Sequence, residues 1–152
     1  MAELLAGTEI VLPDGSRVDA GTHLAGKMVA LYFSAGWCPP CRAFTPKLKH
    51  FYEDLHEDGK NFEVVFVSRD KEENDLIEYY TKNMSALWTY IPFGNPKIQE
   101  LLEKYEVKTI PALRVIKDDG TVVVVDGRSD VADKGQRDPA GLYEDWEAFY
   151  AF

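Results

Sequence analysis

Apolar and polar positions along this chain fall into two rhythms. Residues 27–35, KMVALYFSA, form a nearly continuous apolar run rich in strand formers, the pattern of a strand buried on both faces. Residues 61–70, NFEVVFVSRD, repeat that pattern. Between them Phe44, Leu48, Phe51 and Leu55 recur at helical spacing, with Lys47, Lys49, Glu53 and Asp54 interleaved, which predicts an amphipathic helix from Cys41 onward. Pro46 lies inside that pattern and predicts a kink. Leu76, Ile77 and Tyr80 predict another helix. A further one follows Asn95-Pro96, with Asn95 as cap, Pro96 in the first turn and Ile98, Leu101 and Leu102 as the apolar face. Two stretches predict hairpins: EIVLPDGSRVDA (9–20) around Asp14-Gly15, and more strongly ALRVIKDDGTVVVVDG (112–127) around Asp118-Asp119-Gly120. Leu142, Trp146, Phe149 and Tyr150 mark one face of a closing helix.

The order is hairpin, strand, helix, strand, helix, short helix, hairpin, helix. Strands separated by helices require parallel crossovers, and hairpins add antiparallel pairs. The prediction is an α/β fold of three layers, a mixed central sheet flanked by helices, with an N-terminal β-hairpin. No internal repeat or Gly/Pro/Ser-rich linker divides the chain, so residues 1–152 are expected to form a single domain.

Composition narrows the function classes. A hydrophobic content of 45% over 152 residues is enough for a core without disulfide staples. The formal net charge of −9 argues against a nucleic acid as direct ligand. Glu3 lies where a secretory leader would be basic, and no apolar run approaches the roughly 18–20 residues of a transmembrane helix. The expected setting is therefore the cytoplasm, with the nucleus as a second compartment and no membrane partner. In such reducing surroundings a close cysteine pair is more often redox-active or metal-binding than structural.

Cys38 and Cys41, separated by two residues, are the only cysteines in the chain. Cys38 follows the first buried strand and precedes the first helix, so its sulfur is expected at a helix N-terminus, where free N–H groups and the dipole favour thiolate. That makes Cys38 the candidate nucleophile. Cys41, about one turn into the helix, is placed to resolve a mixed disulfide formed at Cys38. Pro40 suits an early helical position, and Pro39 restricts the loop before it. Two other readings of the pair are weaker. A structural zinc site needs four ligands, and His50 and His56, six apart on a helix, do not share a face; His23 is the remaining histidine. A static disulfide closing so short a loop adds little stability. No metal is expected.

The run Tyr32-Phe33-Ser34-Ala35-Gly36-Trp37-Cys38-Pro39-Pro40-Cys41-Arg42-Ala43-Phe44-Thr45-Pro46 resembles the tryparedoxin and nucleoredoxin branch of the thioredoxin superfamily. FEVVFVSRD, LWTYIPF, YEVKTIPALRVI and Gly127-Arg128 fit the same branch, so the resemblance covers roughly residues 24–130. It implies a thioredoxin-like fold and a cis peptide at Ile110-Pro111 beside the cysteines, whose neighbouring backbone would pair with substrate. It also implies a docking surface of Trp37, Pro39, Pro40, Ile110 and Pro111. Tyr32, Arg42 and Arg128 are weaker candidates: Arg42 is either an aid to thiolate formation or a solvated helix residue, and Arg128 either lies near the site or is a surface charge at a hairpin end.

Two positions depart from the wider superfamily pattern. Many thioredoxins carry a buried acid six residues before the nucleophile, where this chain has Tyr32, a poor base at neutral pH. Tryparedoxins often carry tryptophan inside the Ser-x-Asp that follows the second strand, where this chain has Ser68-Arg69-Asp70; a cation there disfavours a positively charged thiol such as trypanothione. The resulting expectation is a thiol–disulfide oxidoreductase cycling between the Cys38/Cys41 dithiol and disulfide without a further cofactor. Its partners would be disulfide-containing proteins and an upstream reductant, either a thioredoxin reductase or a low-molecular-weight thiol, and a peroxidase is one further recipient of its electrons. The alternative is a redox-switched protein-binding module, nucleoredoxin-like, with incidental turnover.

Overall fold

Among residues 3–150, which the computed structural model describes, the elements follow in this order. They are β1 (Glu9–Val11), β2 (Arg17–Asp19), α1 (Ala20–His23), β3 (Met28–Ser34), α2 (Pro39–Glu57), β4 (Phe62–Ser68) and α3 (Glu73–Lys82). After these come β5 (Thr89–Tyr90), α4 (Lys97–Lys104), β6 (Ala112–Ile116), β7 (Val122–Val124), α5 (Gly127–Ala132), α6 (Lys134–Arg137) and α7 (Pro139–Tyr150). The strands form one sheet in the order β2-β1-β5-β4-β3-β6-β7. β3 runs parallel to β4, in register from Met28 opposite Phe62 to Ser34 opposite Ser68, and antiparallel to β6. The sheet is mixed and carries the N-terminal hairpin, as predicted.

The central strand explains the layering. Every residue of β3 is buried, and successive side chains point to opposite faces. Ala30 and Tyr32 join Phe44, Leu48 and Phe51 of α2, Leu76 and Tyr79 of α3, and Trp146 of α7 on one face. Val29, Leu31 and Phe33 join Leu24, Leu101 and Leu102 on the other. Two apolar layers thus clamp β3, and its C-terminal end, where the chain enters the cysteine segment, inherits that rigidity.

Several local expectations change. The first long helix starts at Pro39 rather than Cys41 and continues past Pro46 to Glu57. α4 begins at Lys97, so Pro96 rather than Asn95 is the N-cap residue and lies outside the first turn, while Asn95 Oδ1 accepts the Lys97 N–H at 2.8 Å. Ile77 and Phe149 are exposed, and Tyr79 and Tyr143 are buried in their place, because each sits on the turn that faces the sheet. The strand expected to reach residue 127 ends at Val124. Asp126 then caps α5 by accepting the Ser129 N–H, so Gly127 and Arg128 open a helix and Arg128 is not a hairpin-end charge. Gly127 has to be small there, since a Cβ would lie 3.1 Å from the Leu113 carbonyl oxygen. No helix among the described residues is long and apolar enough to cross a membrane.

One buried acid lies far from the cysteines. Glu63, in β4, accepts from the Tyr52 hydroxyl at 3.2 Å and the Val64 N–H at 2.9 Å, both at Oε1, and burial pushes its carboxyl above the usual range. The folded chain therefore holds a proton at pH values where the unfolded chain has lost it, and stability falls as pH rises from the ordinary carboxylate range to the raised value. Glu63→Gln keeps an acceptor for both donors and removes the charge. It is expected to raise the melting temperature by roughly 2–4 °C in mildly alkaline buffer, equivalent to about 1 kcal/mol, with the gain shrinking in acid; thermal denaturation at several pH values checks this.

Candidate active site

Cys38 is the N-cap residue of α2, with extended backbone (φ −99°, ψ 109°), and Pro39 and Pro40 fill the first helical positions. Pro39 is thus part of the helix rather than of the preceding loop. A helix start leaves four N–H groups without intrahelical partners, and here the two prolines supply none. The Cys38 N–H goes to the Ala35 carbonyl at 3.3 Å. What remains is the Cys41 N–H, which donates to Cys38 Sγ at 3.4 Å. The expected set of helix amides at the sulfur reduces to one, aimed by the fixed dihedrals of the prolines.

The other side of the sulfur faces the loop before β6. Cys38 Sγ donates to the Ile110 carbonyl at 3.8 Å, and the Ile110–Pro111 peptide is cis. Ile110 also packs against the small cluster of Ala35, Cys38 and Cys41. Both cysteines are free thiols, Cys38 being 5% exposed and Cys41 fully buried.

The turn between β3 and α2 is held from three directions. Asp70 Oδ1 accepts the Gly36 N–H at 2.9 Å, while its Oδ2 accepts from the Ser68 hydroxyl at 2.7 Å. Arg42 Nη1 donates to the Gly36 carbonyl at 2.5 Å. Trp37, 57% exposed, donates through Nε1 to the Arg69 carbonyl at 3.3 Å, which fixes its ring as a platform beside the site. Gly36 lets the turn pack closely on α3, since a Cβ there would lie 3.1 Å from Tyr79 Cβ.

Beneath the cysteines lies a buried group of hydroxyls. Thr45 Oγ1 donates to the Cys41 carbonyl at 3.0 Å and sits 2.8 Å from the Tyr32 hydroxyl and 2.6 Å from that of Tyr79. The Tyr79 hydroxyl in turn lies 2.7 Å from Ser34 Oγ. Burial holds the Tyr32 hydroxyl well above its usual pKa, so it is no proton acceptor for Cys41. Burial, followed by the hydrogen bond with Cys38, pushes the Cys41 thiol up to about 12, against which the Ser34 hydroxyl and the Ala35 backbone act.

Trp37, Cys38, Cys41, Ile110 and Pro111 are therefore brought together, with Pro39 and Pro40 exposed at the rim. Arg42 holds the turn and lines a groove with Trp37, Asp70, Asp75 and Glu78. Arg128 lies in a separate groove, with Pro111, Lys108 and Arg114. Among the described residues no group of three His, Cys, Asp or Glu side chains could hold a metal.

Residues 26–122 match the family model described as thioredoxin-like. The chain belongs to the thioredoxin-like family. Tryparedoxin of Trypanosoma brucei brucei is 40% identical over 148 residues, covering 96% of both chains. Probable nucleoredoxin 1 of Arabidopsis thaliana is 38% identical over 122 residues, 80% of this chain but only 20% of that protein, so the chain spans about a fifth of that relative. Among solved structures, thioredoxin from Wuchereria bancrofti superposes with a TM-score of 0.81 at 47% identity, covering 97% of this chain and 99% of that one. A tryparedoxin II complexed with glutathionylspermidine gives 0.75 at 37% identity, covering 86% and 90%.

Sequence reasoning did not single out Ser34, Thr45, Asp70 or Tyr79 as site residues. Three had a readable signal: Ser34 is the one aliphatic hydroxyl in an apolar strand, Thr45 stands four residues after Cys41, and Asp70 follows Ser68 at turn spacing. The geometry predicts unequal thiols in this thioredoxin-like protein. At neutral pH a limited amount of iodoacetamide is expected to label Cys38 and leave Cys41 unmodified, and the unfolded chain is expected to take two labels; intact-mass analysis with peptide mapping checks this.

Proposed function

We propose that the protein is a thiol–disulfide oxidoreductase that reduces accessible disulfides in proteins or small molecules. The observation that carries this reading is the Cys38 sulfur, held between the Cys41 N–H and the Ile110 carbonyl, with cis-Pro111 beside it. In the forward direction the Cys38 thiolate attacks a substrate sulfur, the substrate S–S bond breaks, and one substrate thiolate leaves with the electron pair. Cys41, having lost its proton, attacks Cys38 in the mixed disulfide. The Cys38–Cys41 bond forms, the second substrate thiolate leaves, and the dithiol has passed two electrons to the substrate.

Trp37, Pro39, Pro40, Ile110 and Pro111 form the docking rim in this reading. The backbone around Ile110 offers strand-like hydrogen bonds to an extended substrate segment, as in β-strand addition. Arg42 acts by holding the Gly36 carbonyl, and Arg128 reaches substrate only through the groove it shares with Pro111. An external reductant, a thioredoxin reductase or a small thiol, regenerates the dithiol. Glutathionylspermidine bound in the related tryparedoxin II supports the small-thiol class of donor. A thiol peroxidase is one class of electron acceptor. A reducing compartment, cytoplasm or nucleus, is the setting in which the dithiol persists.

Insulin-disulfide reduction with a dithiol reductant tests the assignment. Cys38→Ser is expected to bring turnover to background. Cys41→Ser is expected to let the first attack proceed and to accumulate a mixed disulfide at Cys38, visible on non-reducing gels and reversed by reductant. Turnover that survives in Cys38→Ser contradicts the proposal.

A further inference from the structure

We infer that the groove beside Phe93 is a substrate subsite on the β5 side of Trp37. It takes an extended segment of a disulfide-bearing protein, with a large apolar residue about three positions from the reactive cysteine and a carboxylate between the two. The inference rests on the reading above, in which Cys38 attacks a substrate disulfide.

Among the described residues the large apolar side chains left exposed are Trp37, Ile77, Phe93, Val125 and Phe149. Ile77 and Phe149 lie on α3 and α7. The other three follow β3, β5 and β7. Those strands run in one direction, because β4 is parallel to both β3 and β5, and β6 is antiparallel to both β3 and β7. Trp37, Phe93 and Val125 therefore gather at one end of the sheet, the end that carries Cys38. Val125 shares the groove of Pro111, on the β6 side. Phe93 stands on the other side of Trp37, beyond β4.

The Phe93 groove is lined by Ser68, Asp70, Pro96, Ile98 and Gln99. Asp70 also lines the groove of Trp37 and accepts the Gly36 N–H, so the two grooves meet at the turn that carries the nucleophile. Register gives the spacing. Ser34 is opposite Ser68 and Phe66 is opposite Tyr90, and the ladders continue through the Arg69 N–H to the Ser34 carbonyl and the Ile91 N–H to the Phe66 carbonyl. Carried forward, that register sets Ala35, Arg69 and Phe93 level across three neighbouring strands. At roughly 4.8 Å per strand, Phe93 lies about 10 Å from the line of β3, a distance that about three residues of extended chain cover. A polypeptide flanking the reactive cysteine spans it, and a disulfide with no flanking chain does not.

Arg69 stands between Trp37 and Phe93. Its backbone is held from both sides, its N–H donating to the Ser34 carbonyl at 2.9 Å and its carbonyl accepting from Trp37 Nε1 at 3.3 Å. Its side chain is exposed and makes no hydrogen bond or ion pair among the described residues. Arg17, Arg42, Arg114 and Arg137, by contrast, each donate to an oxygen. A carboxylate on a segment crossing from Trp37 to Phe93 gives Arg69 a partner, and a cation there meets repulsion. The apolar contact at Phe93 supplies the larger share of the preference, since an exposed ion pair contributes little.

Short peptides with a central cysteine activated as its thiopyridyl disulfide test this. Cys38 attacks the peptide sulfur, the bond to the pyridyl sulfur breaks, and thiopyridone leaves with the electron pair and takes a proton from solvent, giving an absorbance that times the attack. Leucine is moved one position at a time through serine flanks on both sides. Leucine about three positions from the cysteine on one side is expected to raise the second-order rate constant about tenfold over the all-serine peptide, and Phe93→Ser is expected to bring that ratio to about one. At the position between them, aspartate is expected to be favoured over lysine about threefold, with Arg69→Glu reversing the order. A merely structural role for either side chain slows every peptide by one factor and leaves the ratios standing. The inference is overturned by standing ratios, by the absence of a leucine preference at any position, or by an aspartate–lysine order that Arg69→Glu does not change. A wild-type dimer in sedimentation that Phe93→Ser dissociates also overturns it, by giving the groove to a second copy of the chain. Failure of the wild type to release thiopyridone from any peptide or from dithiodipyridine instead contradicts the thiol cycle itself.

Discussion

The hydrogen bond from the Cys41 amide to the Cys38 sulfur depends on every layer of this molecule. It needs a helix that starts at Pro39, and two prolines that contribute no competing N–H. It also needs a strand rigid enough to deliver Cys38 to the same place each time. β3 meets the last requirement because it is buried on both faces between two apolar clusters. A chain with glycine in place of Pro39 or Pro40 would offer a further amide at the helix start and a looser turn, spreading the interaction over several donors.

The second constraint is burial. Cys38 retains slight exposure, whereas Cys41 has none, and in the proposed cycle the cost of charging a buried sulfur falls on the second step. The residues beneath Cys41 answer that cost with hydroxyls rather than with a carboxylate. The hydroxyls of Ser34, Thr45 and Tyr79 hydrogen-bond to one another there, and each of them can donate or accept. Of the two buried acids, Asp70 holds the Gly36 N–H in the turn before Cys38, and Glu63 pairs with Tyr52.

Much of this was legible in the sequence. The apolar runs before the cysteines and around residue 65 identified the two central parallel strands, and the spacing of Phe44, Leu48, Phe51 and Leu55 identified the helix that carries Cys41. The Trp-Cys-Pro-Pro-Cys-Arg run pointed to the segment of the proposed nucleophile, and the resemblance it carries led to the cis bond at Pro111. What escaped were features decided by tertiary contact. Tyr79 and Ile77 are equally plausible on a helix until the sheet selects one face. The valine run 122–125 reads as a long strand, yet β7 stops at Val124 because Asp126 caps a new helix. The hydroxyl network joins residues from β3, α2 and α3 that are as much as 45 positions apart, and no local pattern encodes it.

The most direct test of this account is the backbone amide spectrum of the reduced protein, recorded by proton–nitrogen correlation across the pH range in which Cys38 ionises. The Cys41 amide, as the one helix N–H at the sulfur, is predicted to show the largest downfield proton shift, with Arg42 and the residues after it moving little. A Cys41 amide that stays in place while Cys38 ionises, or a shift spread evenly over the first turn of α2, would contradict it.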